Sequence, residues 1–109
     1  MTTHYKFADV FTLKEQVEIS KEKVQFEPIF ETSGGGVVLL GFQKGQKLDK
    51  HLSTTSLMVN VIEGEVIFRI NDTPHVLKTG QFILVGAEVP HSVDALADTK
   101  LMLVKVKPD

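Results

Sequence analysis

Cysteine is absent from this sequence, which excludes a disulfide framework, a thiolate nucleophile and any cysteine-ligated metal. The sequence also has no excess of positive charge, because its 12 basic and 14 acidic residues give a net charge of -2. No basic stripe with interleaved aromatic residues is present. The sequence therefore does not predict a nucleic-acid partner.

Long hydrophobic runs are also missing. The first nine residues include acidic and basic side chains where a secretory signal needs an apolar run, and no stretch approaches the length of a membrane span. We therefore expect a cytoplasmic protein without a membrane partner. A length of 109 residues, with 42% hydrophobic and 24% charged residues, is typical of one soluble domain that buries its own core.

Turn signals recur about every 8 to 12 residues from Val37 onward, and the segments between them alternate apolar and polar residues as strands do. This rhythm predicts an all-β barrel or sandwich over residues 37–109. Residues 1–36 are predicted to form an extended N-terminal arm with a brief turn near Thr12. The glycine-rich residues 32–36 are predicted to form the loop that separates the two parts.

Two segments of the predicted barrel begin with a glycine and end with a histidine, namely residues 45–51 and 80–91. Between them, residues 57–62 and 65–70 alternate as two strands around Glu63 and Gly64, which predicts a β-hairpin. Each histidine closes a short extended segment. We therefore expect His51 and His91 to face one cavity.

The order of these residues resembles the cupin superfamily. Gly45, His51 and Gly64 match the first motif of that family, and Gly80 and the Pro90-His91 pair match the outline of the second. The resemblance implies a cupin-type jelly-roll barrel, also called a double-stranded β-helix, which removes exposed strand edges by pairing two sheets.

The resemblance also implies a site, although an incomplete one. Ser53 stands where the family has a second histidine, and Leu57 stands where it has a glutamate, so two of four metal ligands remain, His51 and His91. A catalytic divalent metal generally needs about three protein ligands. The nearby carboxylates Asp49, Glu63 and Glu88 do not match the ligand position.

Three interpretations of the two histidines stay open at this point. They are structural groups hydrogen-bonded inside the barrel, or polar groups of a metal-free pocket for a small molecule, or two ligands of a divalent metal such as Fe, Ni, Mn or Zn. The leading hypothesis is a small-molecule-binding or sensing protein with no assignable reaction. Its alternative is a metal-dependent enzyme of the dioxygenase or isomerase type with a third ligand from elsewhere. The residues predicted to build the pocket are His51, His91, Ser53, Gln43, Leu57, Val59, Val61 and Phe82.

The runs 37–40 and 101–104 offer apolar side chains to both faces of their strands, more than the interior of one small barrel needs. An apolar outer face favours association, and a two-fold dimer is its commonest form. The sequence therefore predicts a homodimer. The N-terminal arm is expected to contribute a strand either to the chain's own sheet or to that of a dimer partner, with residues 17–29 as the segment concerned.

Overall fold

The computed structural model describes residues 1–109, and almost every regular element in it is a β-strand. A single 3-10 turn, Leu13–Gln16, precedes nine strands. No helix has the length and apolarity needed to cross a membrane. The strands are β1 (Gln25–Thr32), β2 (Gly35–Phe42), β3 (Lys47–His51), β4 (Ser56–Glu63), β5 (Glu65–Ile70), β6 (Thr73–Lys78), β7 (Phe82–Val85), β8 (His91–Ala95) and β9 (Thr99–Val106).

The strands form two antiparallel sheets that pack face to face, as in a jelly roll. One sheet has five strands in the order β1-β2-β9-β4-β7, and the other has four in the order β3-β8-β5-β6. Alternate residues of each central strand point inward, so Val59 of β4 and Val66 and Phe68 of β5 are fully buried between the sheets. The predicted all-β jelly-roll barrel is confirmed.

The predicted hairpin around Glu63 and Gly64 is wrong, although both strands exist. β4 belongs to the five-stranded sheet and β5 to the four-stranded sheet, so the chain crosses between sheets at Gly64 and does not fold back on itself. Gly64 has a φ of 112°, and a Cβ there would lie 2.3 Å from the Thr99 hydroxyl and 2.6 Å from the Asp98 carbonyl oxygen. A strand pattern with a tight turn does not reveal whether the next strand pairs or crosses.

The prediction of a loop over residues 32–36 is wrong at both ends, because Thr32 ends β1 and only residues 33 and 34 form the turn. Gly35 and Gly36 begin β2 and pair with both β1 and β9. A Cβ on Gly35 would lie 1.8 Å from the Lys105 carbonyl oxygen. Glycine is therefore required at these positions because neighbouring backbones approach closely. β1 continues through a short turn into β2, which is its neighbour in the same sheet.

The segment before β1 contains the predicted turn near Thr12, but residues 17–20, which alternate like a strand, do not join a sheet. Val17 is nevertheless buried, because it packs against Gly41 on the outer face of β2. The Gln46 side chain donates to the Ser20 carbonyl at 2.7 Å and holds the end of this segment.

Candidate functional site

His51 and His91 lie opposite each other on neighbouring strands of the four-stranded sheet. His51 ends β3, His91 begins β8, and the two are direct partners in the antiparallel register. Their ring centroids are 4.4 Å apart and the rings meet edge to face at 64°. The register shifts between Leu48 and His51, a local irregularity of the kind that re-aims side chains near sites.

Each imidazole is oriented by a backbone carbonyl two residues before it in the chain. The Nδ1 atom of His51 lies 2.8 Å from the Asp49 oxygen, and that of His91 lies 2.9 Å from the Val89 oxygen. Since a carbonyl oxygen only accepts, each Nδ1 carries the proton in the neutral ring. Both Nε2 atoms are then left as unprotonated acceptors.

The two rings differ in environment. His91 is only 4% exposed and stacks on Phe68 with 5.6 Å between centroids, whereas His51 is exposed. Burial lowers the pKa of His91 below its usual 6.5, and the nearby charge of a protonated His51 lowers it further, against the opposing effect of the Val89 hydrogen bond. His91 is therefore neutral near pH 7.

The Nε2 atom of His91 has no hydrogen-bond partner within the chain. Every side-chain nitrogen or oxygen that is fully buried in this protein does have such a partner. This nitrogen therefore reaches solvent through the small exposed part of the ring. The Nε2 atoms of both rings are therefore free to accept a hydrogen bond from outside the chain.

Behind the histidines lies a narrow apolar cavity of about 20 Å³, which is the size of about one water molecule. Only the two imidazoles are polar among its nine lining residues. A ligand of ordinary size therefore cannot be enclosed and must bind at the mouth. The cavity is lined by Leu40, Leu48, His51, Leu57, Phe68, His91, Val93, Leu101 and Leu103.

Of the residues predicted to build the pocket, the structure brings His51, His91 and Leu57 to this cavity. Val59 and Val61 point into the same barrel but are buried in the core beyond it. They support the cavity without lining it.

The other three predicted residues lie elsewhere. Ser53 lies in the turn after β3, where its hydroxyl is hydrogen-bonded to that of Thr55 at 2.8 Å. The backbone N–H of Gln43 donates to the Gln46 side chain in another turn. Phe82 lies on the outer face of the edge strand β7 and is 56% exposed. Phe82 is predicted to form a wall of the pocket, but the inward-pointing residues of β7 are Ile83 and Val85, one position further along the strand.

Sequence reasoning missed most of the apolar lining. Phe68, which stacks on His91, shares a face with Val66 in the period-2 pattern of β5, so its inward direction was available from sequence. Leu48 and Val93 are direct partners on β3 and β8. Their contribution depends on the pairing of those strands, which no local pattern specifies.

A family model described as "Cupin domain" matches residues 38–107 of the chain. The chain belongs to the cupin family. No curated protein matches it. This cupin is similar in structure to a conserved protein of unknown function from Streptococcus pyogenes, at 25% identity and a TM-score of 0.89, over 100% of this chain and 97% of that one.

Two further structures agree on the fold. A cupin 2 conserved barrel domain protein from Leptotrichia buccalis is 28% identical with a TM-score of 0.85, over 89% of this cupin and 47% of that chain. A cupin superfamily protein from Desulfitobacterium hafniense is 14% identical with a TM-score of 0.86, over 94% of both chains. The latter likeness concerns the fold alone.

The donor set of this cupin does not fit the divalent metal that the resemblance suggests. No three histidine, cysteine, aspartate or glutamate side chains lie together as a cation site would require. Leu57, at the position of the family's glutamate, lines the cavity beside both imidazoles and supplies no donor. Two imidazole nitrogens facing an apolar cup fall short of the about three ligands that a catalytic metal needs.

Proposed function

We propose that this cupin is a small-molecule-binding or sensing protein whose site is the mouth formed by His51 and His91. The observation that carries the proposal is the pair of oriented imidazoles, each with Nδ1 bound to a backbone carbonyl and Nε2 free. Pre-oriented acceptors bind a ligand without first paying the entropy of ordering two side chains. No reaction is assigned to the site.

The chemistry of the mouth selects a class of ligand. At neutral pH the Nε2 atoms are acceptors, so a ligand hydroxyl or N–H group is complementary to them, whereas a carbonyl oxygen is not. A carboxylate is complementary only to the imidazolium form of a ring, in which both nitrogens donate. The cavity of about 20 Å³ behind the rings accepts no more than a methyl-sized apolar end. A small alcohol, phenol or hydroxy acid combines these features.

A thermal-shift screen of small alcohols, phenols, sugars and carboxylic acids tests the proposal. A compound that binds the native state alone raises its stability by mass action, by about 2.7 kcal/mol at a hundred times Kd. We expect hydroxyl compounds to raise Tm in the wild type and in His75→Ala, and to have no effect on His51→Ala. If no compound shifts Tm, or if His51→Ala responds as the wild type does, the site is wrong.

We further propose that this cupin acts in the cytoplasm as a homodimer. The absence of cysteine is compatible with a reducing compartment, and several large apolar side chains are exposed on the outer strands. Sedimentation velocity on the purified chain tests the assembly. A single species at the mass of two chains is expected, and a species at 12.1 kDa at all concentrations would contradict it.

A further inference from the structure

The two sheets of this cupin have four edge strands, and three of them are protected against pairing with a further strand. β1 contains Pro28, and its Glu31 is hydrogen-bonded in both directions to the main chain of Thr2, at 2.8 and 2.9 Å. β3 carries three charged residues among its five. β6 contains Pro74, and Gln81 binds both main-chain groups of the last residue of that strand, each at 2.9 Å. Proline, charge and covering contacts are the usual protection of a sheet edge.

The fourth edge, β7, has no such protection. Its residues are Phe-Ile-Leu-Val, and it pairs with β4 alone. The hydrogen bond from the Val61 N–H to the Gln81 carbonyl, at 2.9 Å, fixes the phase of this pairing, so Ile83 also bonds to β4. Main-chain groups alternate in direction along a strand, so those of Phe82 and Leu84 point away from β4. An N–H and a C=O on each of these two residues therefore lack a partner in this chain.

Beside this edge, an open groove of about 440 Å³ lies between β6 and β7. Its volume is in the range of ligand pockets and is far larger than the cavity of about 20 Å³ behind His51 and His91. The groove shares no lining residue with that cavity. Its lining includes the buried Leu77 and the half-buried Ile83. The groove is therefore a second concave site, separate from the pair of histidines.

Two polar side chains of the groove, His75 and Gln81, have hydrogen-bonding atoms without a partner in the chain. Gln81 accepts from the Lys78 N–H through Oε1 at 2.9 Å, which holds its amide in place and leaves Nε2 as a free donor. His75 is half-buried on the same face of the sheet as its register partner Phe68, and its ring nitrogens make no hydrogen bond within the chain. A carboxylate can accept from both side chains, and no acidic residue lines the groove to repel it.

We propose that β7 binds an extended peptide segment of another protein, in which an acidic residue alternates with apolar ones. The free main-chain groups of Phe82 and Leu84 select a peptide in the strand conformation, because they need a donor and an acceptor at every second residue. Side chains of an added strand alternate in direction. Its apolar residues lie beside Phe82 and Leu84, which are 56% and 66% exposed, and its acidic residue enters the groove toward His75 and Gln81.

A second copy of β7 fits this edge less well than such a peptide. All four of its residues are apolar, so none of them supplies an acceptor to His75 or Gln81. Pairing of two β7 strands would place an apolar side chain against both of these polar groups and leave them unbonded. The acidic residue therefore distinguishes the proposed partner from another copy of this chain.

Selection of a phage-displayed library of random heptapeptides against the purified wild type is the first test. We expect the enriched sequences to share an acidic residue with a β-branched or aromatic residue on each side, because the acidic side chain enters the groove and its neighbours lie on the opposite face. Enrichment of purely apolar sequences would overturn the proposed partner and favour another copy of β7. No enrichment at all would overturn the site.

Leu84→Pro removes one free N–H of the edge without breaking a hydrogen bond within the chain, and Leu84→Val, which keeps that N–H, is the matched control. Fluorescence anisotropy of a labelled enriched peptide measures both. The dissociation constant should rise at least about tenfold in Leu84→Pro and stay within about threefold of the wild type in Leu84→Val. Equal binding by the wild type and Leu84→Pro would mean that the peptide does not pair with β7, which overturns the proposal.

N-methylation of the peptide tests the same pairing on the wild-type protein, so the result does not depend on how a variant folds. In an added strand, alternate peptide N–H groups face β7 and the others face away from it. Methyl groups on the nitrogens that face β7 should raise the dissociation constant at least about tenfold, and methyl groups on the nitrogens between them should change it less. An effect without alternation would overturn the strand pairing.

Gln81→Glu tests the groove, since glutamate keeps an acceptor for the Lys78 N–H and replaces the free donor with a negative charge. The dissociation constant of the acidic peptide should rise at least about tenfold, whereas the same peptide with lysine in place of the acidic residue should bind more tightly than to the wild type. Gln25→Glu, on the opposite edge strand β1, is the matched control and should change neither affinity. Unchanged affinities in Gln81→Glu would overturn the carboxylate contact.

Discussion

The ring of His91 stacks on that of Phe68 with 13° between their planes, and this contact buries an imidazole that would otherwise titrate near neutrality. The His91 ring also meets that of His51, with 64° between their planes. Burial against this hydrophobic ring and the neighbouring second histidine both disfavour the imidazolium form of His91. His91 is therefore neutral at pH 7, and its Nε2 atom then accepts a hydrogen bond.

Stability should fall on mild acidification because of His91. Its pKa is lowered in the folded protein, mainly by burial, so below about pH 6.5 the unfolded chain binds a proton that the folded chain does not. The free energy of unfolding therefore decreases as the pH falls from 7.5 through 6.5, and this contribution stops changing below the folded pKa. Urea unfolding at pH 7.5, 6.5 and 5.5 measures the decrease. It should be smaller in His91→Gln and unchanged in His75→Gln; an equal decrease in all three proteins would contradict the assignment.

Gly64→Ala should be far more damaging than Gly80→Ala, although both glycines have a positive φ, 112° and 84°. A Cβ at Gly80 meets nothing within 4 Å, so only backbone strain of about 1 kcal/mol is expected. A Cβ at Gly64 lies 2.7 Å from the Thr99 Cα atom as well as against the Asp98 oxygen, which should add roughly 2 kcal/mol more. Urea midpoints with unchanged m-values measure both. Equal losses of stability in the two variants would mean that the backbone around Gly64 is less closely packed than in the structure.

Leu57→Glu should create the metal site that the wild type lacks. Leu57 lines the cavity with His51 and His91 and is 6% exposed, so a carboxylate there gives a third donor. Without metal the buried carboxylate should cost about 2 to 4 kcal/mol of stability, and Zn²⁺ should restore part of it. Calorimetric titration should give a zinc affinity at least about tenfold above that of the wild type.

Leu57→Gln is the control for that change, since it has the same size without the charge. It should lose stability and gain little affinity for zinc. The wild type itself could instead bind zinc tightly and stoichiometrically, and lose this binding in His91→Ala. That result would mean that two imidazoles are enough to hold the metal, and it would favour the metal-dependent enzyme over the metal-free binding protein.

Much of the fold followed from sequence because period-2 alternation reports local burial. The strand predicted at residues 65–70 agrees with β5 residue for residue. What failed was long-range pairing. The same tight turn at Gly64 serves a hairpin or a crossover, and glycines 35 and 36 look like a loop until Lys105 of β9 is seen against them.

The candidate site shows the same difference between features that a local sequence pattern predicts and features that depend on how the strands are arranged. The two histidines carried a recognisable spacing, so their common location was predictable, whereas the wall around them depends on the phase of each strand. Phe82 and Ile83 differ by one position, and that single step separates the outer face of the sheet from its interior. Ser53 stands at the position of the family's second histidine, but its hydroxyl accepts from the Thr55 backbone N–H in a turn, and the Gln43 backbone N–H donates to the Gln46 side chain in another turn.

Nitrogen-detected NMR of the imidazoles, in protein labelled with ¹⁵N-histidine, measures the state of the pair directly. At pH 7.5 His51 and His91 should both carry the proton on Nδ1 and leave Nε2 unprotonated, and the Nε2 signals should move when a hydroxyl compound from the thermal-shift screen is added. A proton on Nε2 of either ring, or Nε2 signals that stay fixed while such a compound saturates the protein, would contradict a ligand site built on these two nitrogens.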